Sequence, residues 1–96
     1  MHWEVTEAKV IDDRTLWIRF ADGTSGGVRF LPGFFRGVFS KLADPVRFAE
    51  VYVDHGAVAW PEELDLAPDA MYERIRAAGG VAEYGLEAAG EPVRPA

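Results

Sequence analysis

The chain contains no cysteine and only two histidines among its 96 residues. The first absence excludes disulfides, thiolate metal sites and cysteine nucleophiles together. The second leaves His2 and His55 without the companions that a histidine base or metal ligand needs, and His55, with Asp54 beside it, is expected in an exposed turn. No apolar run approaches the roughly eighteen residues of a membrane span, so no membrane partner is expected. Met1 to Val5 does not lead from a basic segment into an apolar one, and the expected location is the cytoplasm. Positive charge is also scarce: ten Lys and Arg stand against sixteen Asp and Glu, for a net charge of −6. Residues 1–50 carry seven basic and seven acidic side chains, whereas residues 51–96 carry three and nine. Phosphate recognition needs a surplus of Lys and Arg on one face, so no direct binding of nucleic acid is expected.

What is present suits an ordinary globular chain, with 49% hydrophobic and 27% charged residues and a length that supports one core. Trp3 to Ile11 has strand character, with a shift of parity around Thr6 and Glu7 that predicts a β-bulge. After a polar turn at Asp12-Asp13-Arg14, the alternation of Leu16, Ile18 and Phe20 with Trp17 and Arg19 predicts a second strand. Gly23-Thr24-Ser25-Gly26-Gly27 follows as a hairpin loop, because it lacks the Lys and the helix start of a phosphate loop. A third strand from Gly27 to Leu31 completes an antiparallel meander.

Phe34, Phe35, Val38, Phe39 and Leu42 fall at helical spacing, predicting a short helix from Phe35 to Leu42 despite Gly33 and Gly37. Asp44-Pro45 reads as a stop, and Arg47 to Asp54 returns to strand alternation. A turn at Asp54-His55-Gly56 makes residues 50–60 a second hairpin, ending at Trp60 and Pro61, where the proline removes the next ladder donor. Leu64 and Leu66 are expected to point inward between Glu63 and Asp65. Pro68 suits the first position of a closing helix to Ala78, with Met71, Tyr72, Ile75 and Ala78 on its apolar stripe and Gly79-Gly80 at its end. The expected fold is therefore α+β: an antiparallel meander, a second hairpin, a short middle helix, and a C-terminal helix packed on one sheet face. Residues 1–78 form the expected domain, and residues 79–96 an acidic tail rich in Ala, Gly and Pro, with at most a docked turn at Val81 to Leu86.

Two sets of side chains suggest function. Glu62, Glu63, Asp65, Asp69 and Glu73 crowd five carboxylates into a short stretch. They read as a divalent-metal site, as a patch for a basic partner, or as a solvated loop and helix start, and the spacing lacks the regular ligands and central glycine of a calcium loop. Trp17 lies opposite the inward residues of its strand, and with Arg19 and Arg29 it would form an aromatic and basic patch on an uncovered face. The same arginines equally suit cross-strand charge pairs.

The order Leu42-x-Asp44-Pro45-x-x-Phe48, Val51-x-Val53-Asp54-x-Gly56-x-Val58-x-Trp60-Pro61 and Asp65-Leu66-x-Pro68-Asp69-x-x-Tyr72 resembles the bacterial family called domain of unknown function 2442. Leu16-x-Ile18-x-Phe20-x-x-Gly23 fits the same pattern, and Trp60, Pro61 and Pro68 are its structural signature. The resemblance implies a small α+β domain, sometimes joined to a helix-turn-helix. It further implies a neighbouring gene for a small protein of another uncharacterised family, domain of unknown function 4160, in an arrangement like a toxin–antitoxin pair. It brings no catalytic residues and no cofactor, and Arg29 stands where many members carry an acid.

The expected function is a noncatalytic protein-binding module, antitoxin-like within a two-gene system. Its partner is expected to be a small basic protein that meets Glu62, Glu63, Asp65, Asp69 and Glu73 at the rim, with Trp17 or Tyr72 as anchor. An alternative is a metal-binding or small-ligand domain, possibly a small enzyme, with a pocket between sheet and helix. A third reading is an accessory domain that self-associates along a strand edge.

Overall fold

Alternation of apolar and polar residues organises the first part of the chain in the computed structural model, which describes residues 1–85. Strands β1 (Val5–Asp12), β2 (Thr15–Phe20) and β3 (Ser25–Phe30) form the expected antiparallel meander. Leu16, Ile18, Phe20, Val28 and Phe30 all face inward and are fully buried. The ladder slips between Val5 and Glu7, where the parity of the sequence shifts, so Val5 faces the core and Glu7 the outside. Asp12 accepts the Arg14 backbone N–H and Asp22 that of Thr24, which closes the two turns.

The next segment departs from the expected helix over Phe35 to Leu42. Two 3₁₀-helices, Pro32–Phe34 and Gly37–Ala43, take its place. Gly37 lies at φ +57°, a left-handed residue that an α-helix cannot pass through, so the backbone closes three-residue turns instead. The expected strand from Arg47 is also replaced. Asp44 accepts the Val46 N–H and Pro45 occupies the first helical position, which starts α1 (Pro45–Phe48) and delays β4 to Tyr52–Asp54.

The second hairpin pairs β4 with β5 (Ala57–Trp60) through the predicted turn, with His55 and Gly56 both at positive φ. Pro61, Glu62 and Glu63 then return the chain so that Leu64 opposes Trp60, adding a short third strand, β6 (Leu64–Asp65). Leu64 is buried and Leu66 half-buried, as their spacing implies. Val5 N–H bonds to the Gly56 carbonyl at 2.8 Å, joining the edge of the meander to the tip of this hairpin.

Helix α2 runs from Pro68 to Ala78, as predicted. Gly79 adopts the left-handed conformation at φ +73°, and the bonds from Gly79 N–H to Arg76 and from Gly80 N–H to Ile75 complete a Schellman closure. Met71, Tyr72 and Ile75 are buried, whereas Ala78 is exposed. Beyond the helix the structure adds an element: Val81–Tyr84 forms β7, parallel to β3, giving a sheet of order β1-β2-β3-β7 beside the β4-β5-β6 sheet. The expected extension of the tail to Ala96 lies outside the described residues.

The glycine-rich loop is shorter than expected because Ser25, Gly26 and Gly27 belong to β3. Gly26 is where the helix end meets the sheet: a Cβ there would sit 2.5 Å from the Gly80 carbonyl oxygen and 2.7 Å from Ile75 Cγ2. The core is centred on Phe30, whose ring lies 4.6 to 6.1 Å from those of Phe34, Tyr84, Phe48 and Trp60. Trp60 is fully buried and its indole N–H donates to the Phe48 carbonyl at 2.9 Å.

Trp60→Phe should lower unfolding free energy by about 1–3 kcal/mol, because it removes the indole bond to the Phe48 carbonyl and leaves a smaller ring in a fully buried site, as urea denaturation will show. Gly26→Ala should cost about 1–3 kcal/mol through overpacking, whereas Gly27→Ala, one residue on, should stay within about 0.5 kcal/mol of the parent.

Candidate functional site

The five clustered carboxylates come from three local structures. Glu62 and Glu63 occupy the β5–β6 loop at φ +72° and +65°, an uncommon pair of left-handed non-glycine residues. Glu62 is ion-paired with Lys41 of the second 3₁₀-helix, so it serves to hold this loop against its neighbour. Glu63 and Asp65 are exposed beside it. Asp69 stands in the first turn of α2, where the helix dipole favours a negative charge, and Glu73 follows one turn later on the same face. Among the described residues, no three His, Asp or Glu side chains converge to hold a metal ion.

Tyr72 is not available as a surface anchor. It is 3% exposed, and its hydroxyl donates to the Asp22 carboxylate at 2.5 Å. Arg76 donates to the same hydroxyl at 3.1 Å, and the His2 ring meets the Tyr72 ring edge-on at 5.0 Å. Its helical spacing shows that Tyr72 faces inward, but its partner lies fifty positions away in the β2–β3 turn, beyond the reach of any local pattern. The Tyr72 hydroxyl, with the Thr24 backbone and side chain behind it, holds the Asp22 carboxyl down at about 2, from an ordinary value of 3.8. The same hydroxyl raises Arg76 above the usual arginine value.

Trp17 is half-buried on the outer face of the four-stranded sheet, with Lys9 Nζ 5.5 Å from its ring centroid. Arg29 pairs across β7 with Glu83 at 3.8 Å, and Arg19 is exposed. Helix α2 packs on the opposite face, where Ile75 approaches Gly26 and Tyr72 meets Phe20. Trp17 and the helix carboxylates therefore look out from opposite sides of the sheet.

At Gly26 the sheet and α2 pack too closely for a Cβ. A groove of about 650 Å³ is found elsewhere, at the end of the meander, lined by Asp12, Asp13, Arg14 and Thr15 on one side and by Arg29 to Pro32 on the other. It opens broadly to solvent. Asp12 is held below the ordinary carboxylate value by the Arg14 N–H first and the Thr15 side chain second, and Arg14 lies over the Phe35 ring. These groups serve the turn, and they include no histidine or cysteine.

The chain matches the model of a family described as "Protein of unknown function (DUF2442)" over residues 5–77. It belongs to that family. No curated protein and no solved structure matches it. The DUF2442 match spans the bulged first strand, the Trp60-Pro61 junction and nearly all of α2, and it ends before β7. In this chain Trp60 fills the core, Pro61 opens the loop, and Pro68 starts the helix. Among the described residues, no helix is long and apolar enough to cross a membrane.

Asp22 gives a pH dependence whose sign follows from its lowered value. The folded state favours its ionised form, so its contribution to stability is complete above the ordinary value of 3.8 and is lost as pH falls towards about 2. Thermal midpoints of Tyr72→Phe and Asp22→Asn should fall less steeply than those of the parent across this acid range, and should be lower than the parent's at neutral pH.

Proposed function

We propose that this DUF2442 domain is a noncatalytic protein-binding module that receives a small basic protein on its acidic side, through Glu63, Asp65, Asp69 and Glu73. The supporting observation is that these four carboxylates are exposed and enter no ion pair among the described residues, whereas Glu62 is satisfied by Lys41. Exposed carboxylates on a chain of net charge −6 set up a negative field that steers a basic partner and repels an acidic one. Contacts of this kind raise association rates more than they add affinity, and they weaken as salt screens them. Glu62 belongs to the rim in this reading, and Tyr72 contributes by fixing the helix from beneath. Trp17 faces the other way and is left for a different contact.

The finer form of the proposal is an antitoxin-like role, in which the partner is encoded beside this chain and its active surface is covered on binding. Its support is the family resemblance together with the acidic side. The small protein from the neighbouring gene should bind the purified chain at low salt and be released at high salt. A triple variant, Asp65→Lys, Asp69→Lys and Glu73→Lys, should lose binding by at least tenfold while keeping its circular dichroism. Binding that survives both the reversal and high salt would defeat the acidic-side reading. Growth arrest by the partner, relieved on co-expression of this chain, would carry the antitoxin form, and a partner harmless on its own would remove it.

A further inference from the structure

The chain has no asparagine, and Asp22-Gly23 is its one aspartate followed directly by glycine. The turn between β2 and β3 calls for both residues. Asp22 Oδ1 accepts the Thr24 N–H at 2.9 Å, and Gly23 stands at φ +90°, a conformation that favours glycine. The pair that shapes this turn is also chemically the most reactive aspartate pair, because glycine has no Cβ to shield its backbone nitrogen from the carboxyl group before it.

That reaction needs only water. With the carboxyl group neutral, the Gly23 nitrogen attacks Asp22 Cγ, an N–Cγ bond forms as the Cγ–OH bond breaks, and the hydroxyl leaves as water with the amide proton. The resulting succinimide ring then takes up water at one of its two carbonyls. Addition at Cγ restores aspartate. Addition at the main-chain carbon gives isoaspartate, which routes the backbone through the side chain, lengthens the turn by one methylene and leaves the mass unchanged.

Three contacts oppose this sequence in the folded chain. The Gly23 N–H is engaged by the Phe20 carbonyl at 3.0 Å, Asp22 Oδ1 by Thr24, and Asp22 Oδ2 by the Tyr72 hydroxyl at 2.5 Å. The first two belong to the turn itself. The third comes from α2, fifty positions away, and is made only when helix and sheet are assembled.

We propose that Asp22-Gly23 is a site of aspartate-to-isoaspartate conversion and that the Tyr72 hydroxyl holds it closed in the folded chain. Tyr72 is buried and is itself fixed by Arg76 at 3.1 Å and by the edge-on His2 ring, so its bond sets the orientation of the carboxyl group. It also favours the ionised carboxylate, which has no hydroxyl to lose. Asp22 is held at about 2 from an ordinary 3.8, with Tyr72 the largest cause and Thr24 next, and His2 acts in the same direction. Arg76 is the other charged group that faces the clamp. Each unit of lowering makes the neutral form about tenfold rarer, so the reactive species is suppressed by more than tenfold. This inference does not rest on the acidic-side reading.

Prolonged incubation of the full chain in mildly acidic buffer, followed by peptide mapping that separates isoaspartate from aspartate at position 22, tests it. The folded parent should convert at least tenfold more slowly than the same chain unfolded in urea, a comparison that needs no variant. Tyr72→Phe, which keeps the ring and removes the hydroxyl, should convert at least tenfold faster than the parent at a temperature where circular dichroism shows it folded. Trp60→Phe, which weakens the core and leaves the clamp intact, should stay within about twofold of the parent. Conversion in the folded parent as fast as in urea overturns the inference, as does Tyr72→Phe at the parental rate. Equal acceleration in Trp60→Phe overturns it too, by assigning the protection to overall stability.

Discussion

The hydrogen bond from the Trp60 indole to the Phe48 carbonyl is the contact on which the core depends. A fully buried indole brings a large apolar surface and one polar atom, and that atom must find an acceptor or offset part of what the ring gains. Its acceptor belongs to α1, so one bond joins β5 to the segment that precedes the second hairpin. The Phe48 and Trp60 rings then close over Phe30 at the centre of the other sheet. Pro61 follows at the point where the strand must stop, which makes Trp60-Pro61 a unit: one residue anchors the end of the strand and the next turns it.

Legibility in the sequence tracked the range of the interaction. The meander, its bulge, the second hairpin and α2 are set by alternation, turn residues and caps within a few positions, and all are seen in the structure. The middle of the chain misled because its aromatic spacing imitates a helix, while Gly37 at positive φ and the Asp44 cap decide the backbone there. Strand β7 was hidden because Val81 to Tyr84 looks like the start of a tail, and its partner is a distant strand with Gly27 at its middle. Gly26 and Gly27 read as loop for a similar reason: the demand for a bare backbone at Gly26 comes from the far end of α2.

The candidate site shows the same division. Exposure of Glu63, Asp65, Asp69 and Glu73 follows from their local setting, but the capture of Glu62 by Lys41 and of Tyr72 by Asp22 depends on tertiary placement. Seven residues proposed as one surface resolve into a carboxylate side, a buried tyrosine clamp and an outward tryptophan on the reverse of the sheet. That separation lets the domain present two chemically unlike surfaces from a single small core.

The parallel pairing of β3 with β7 has a consequence for how the molecule comes into being. The two strands are neighbours in space, yet the whole second hairpin and α2 are made between them. At ordinary rates of synthesis, about 5–20 residues per second, the later strand follows the earlier by several seconds. During that interval β3 leaves the ribosome with one edge unpaired, carrying Val28 and Phe30 beside two glycines. The nascent meander is most open to wrong pairing then, and the last strand ends that vulnerability by occupying the edge.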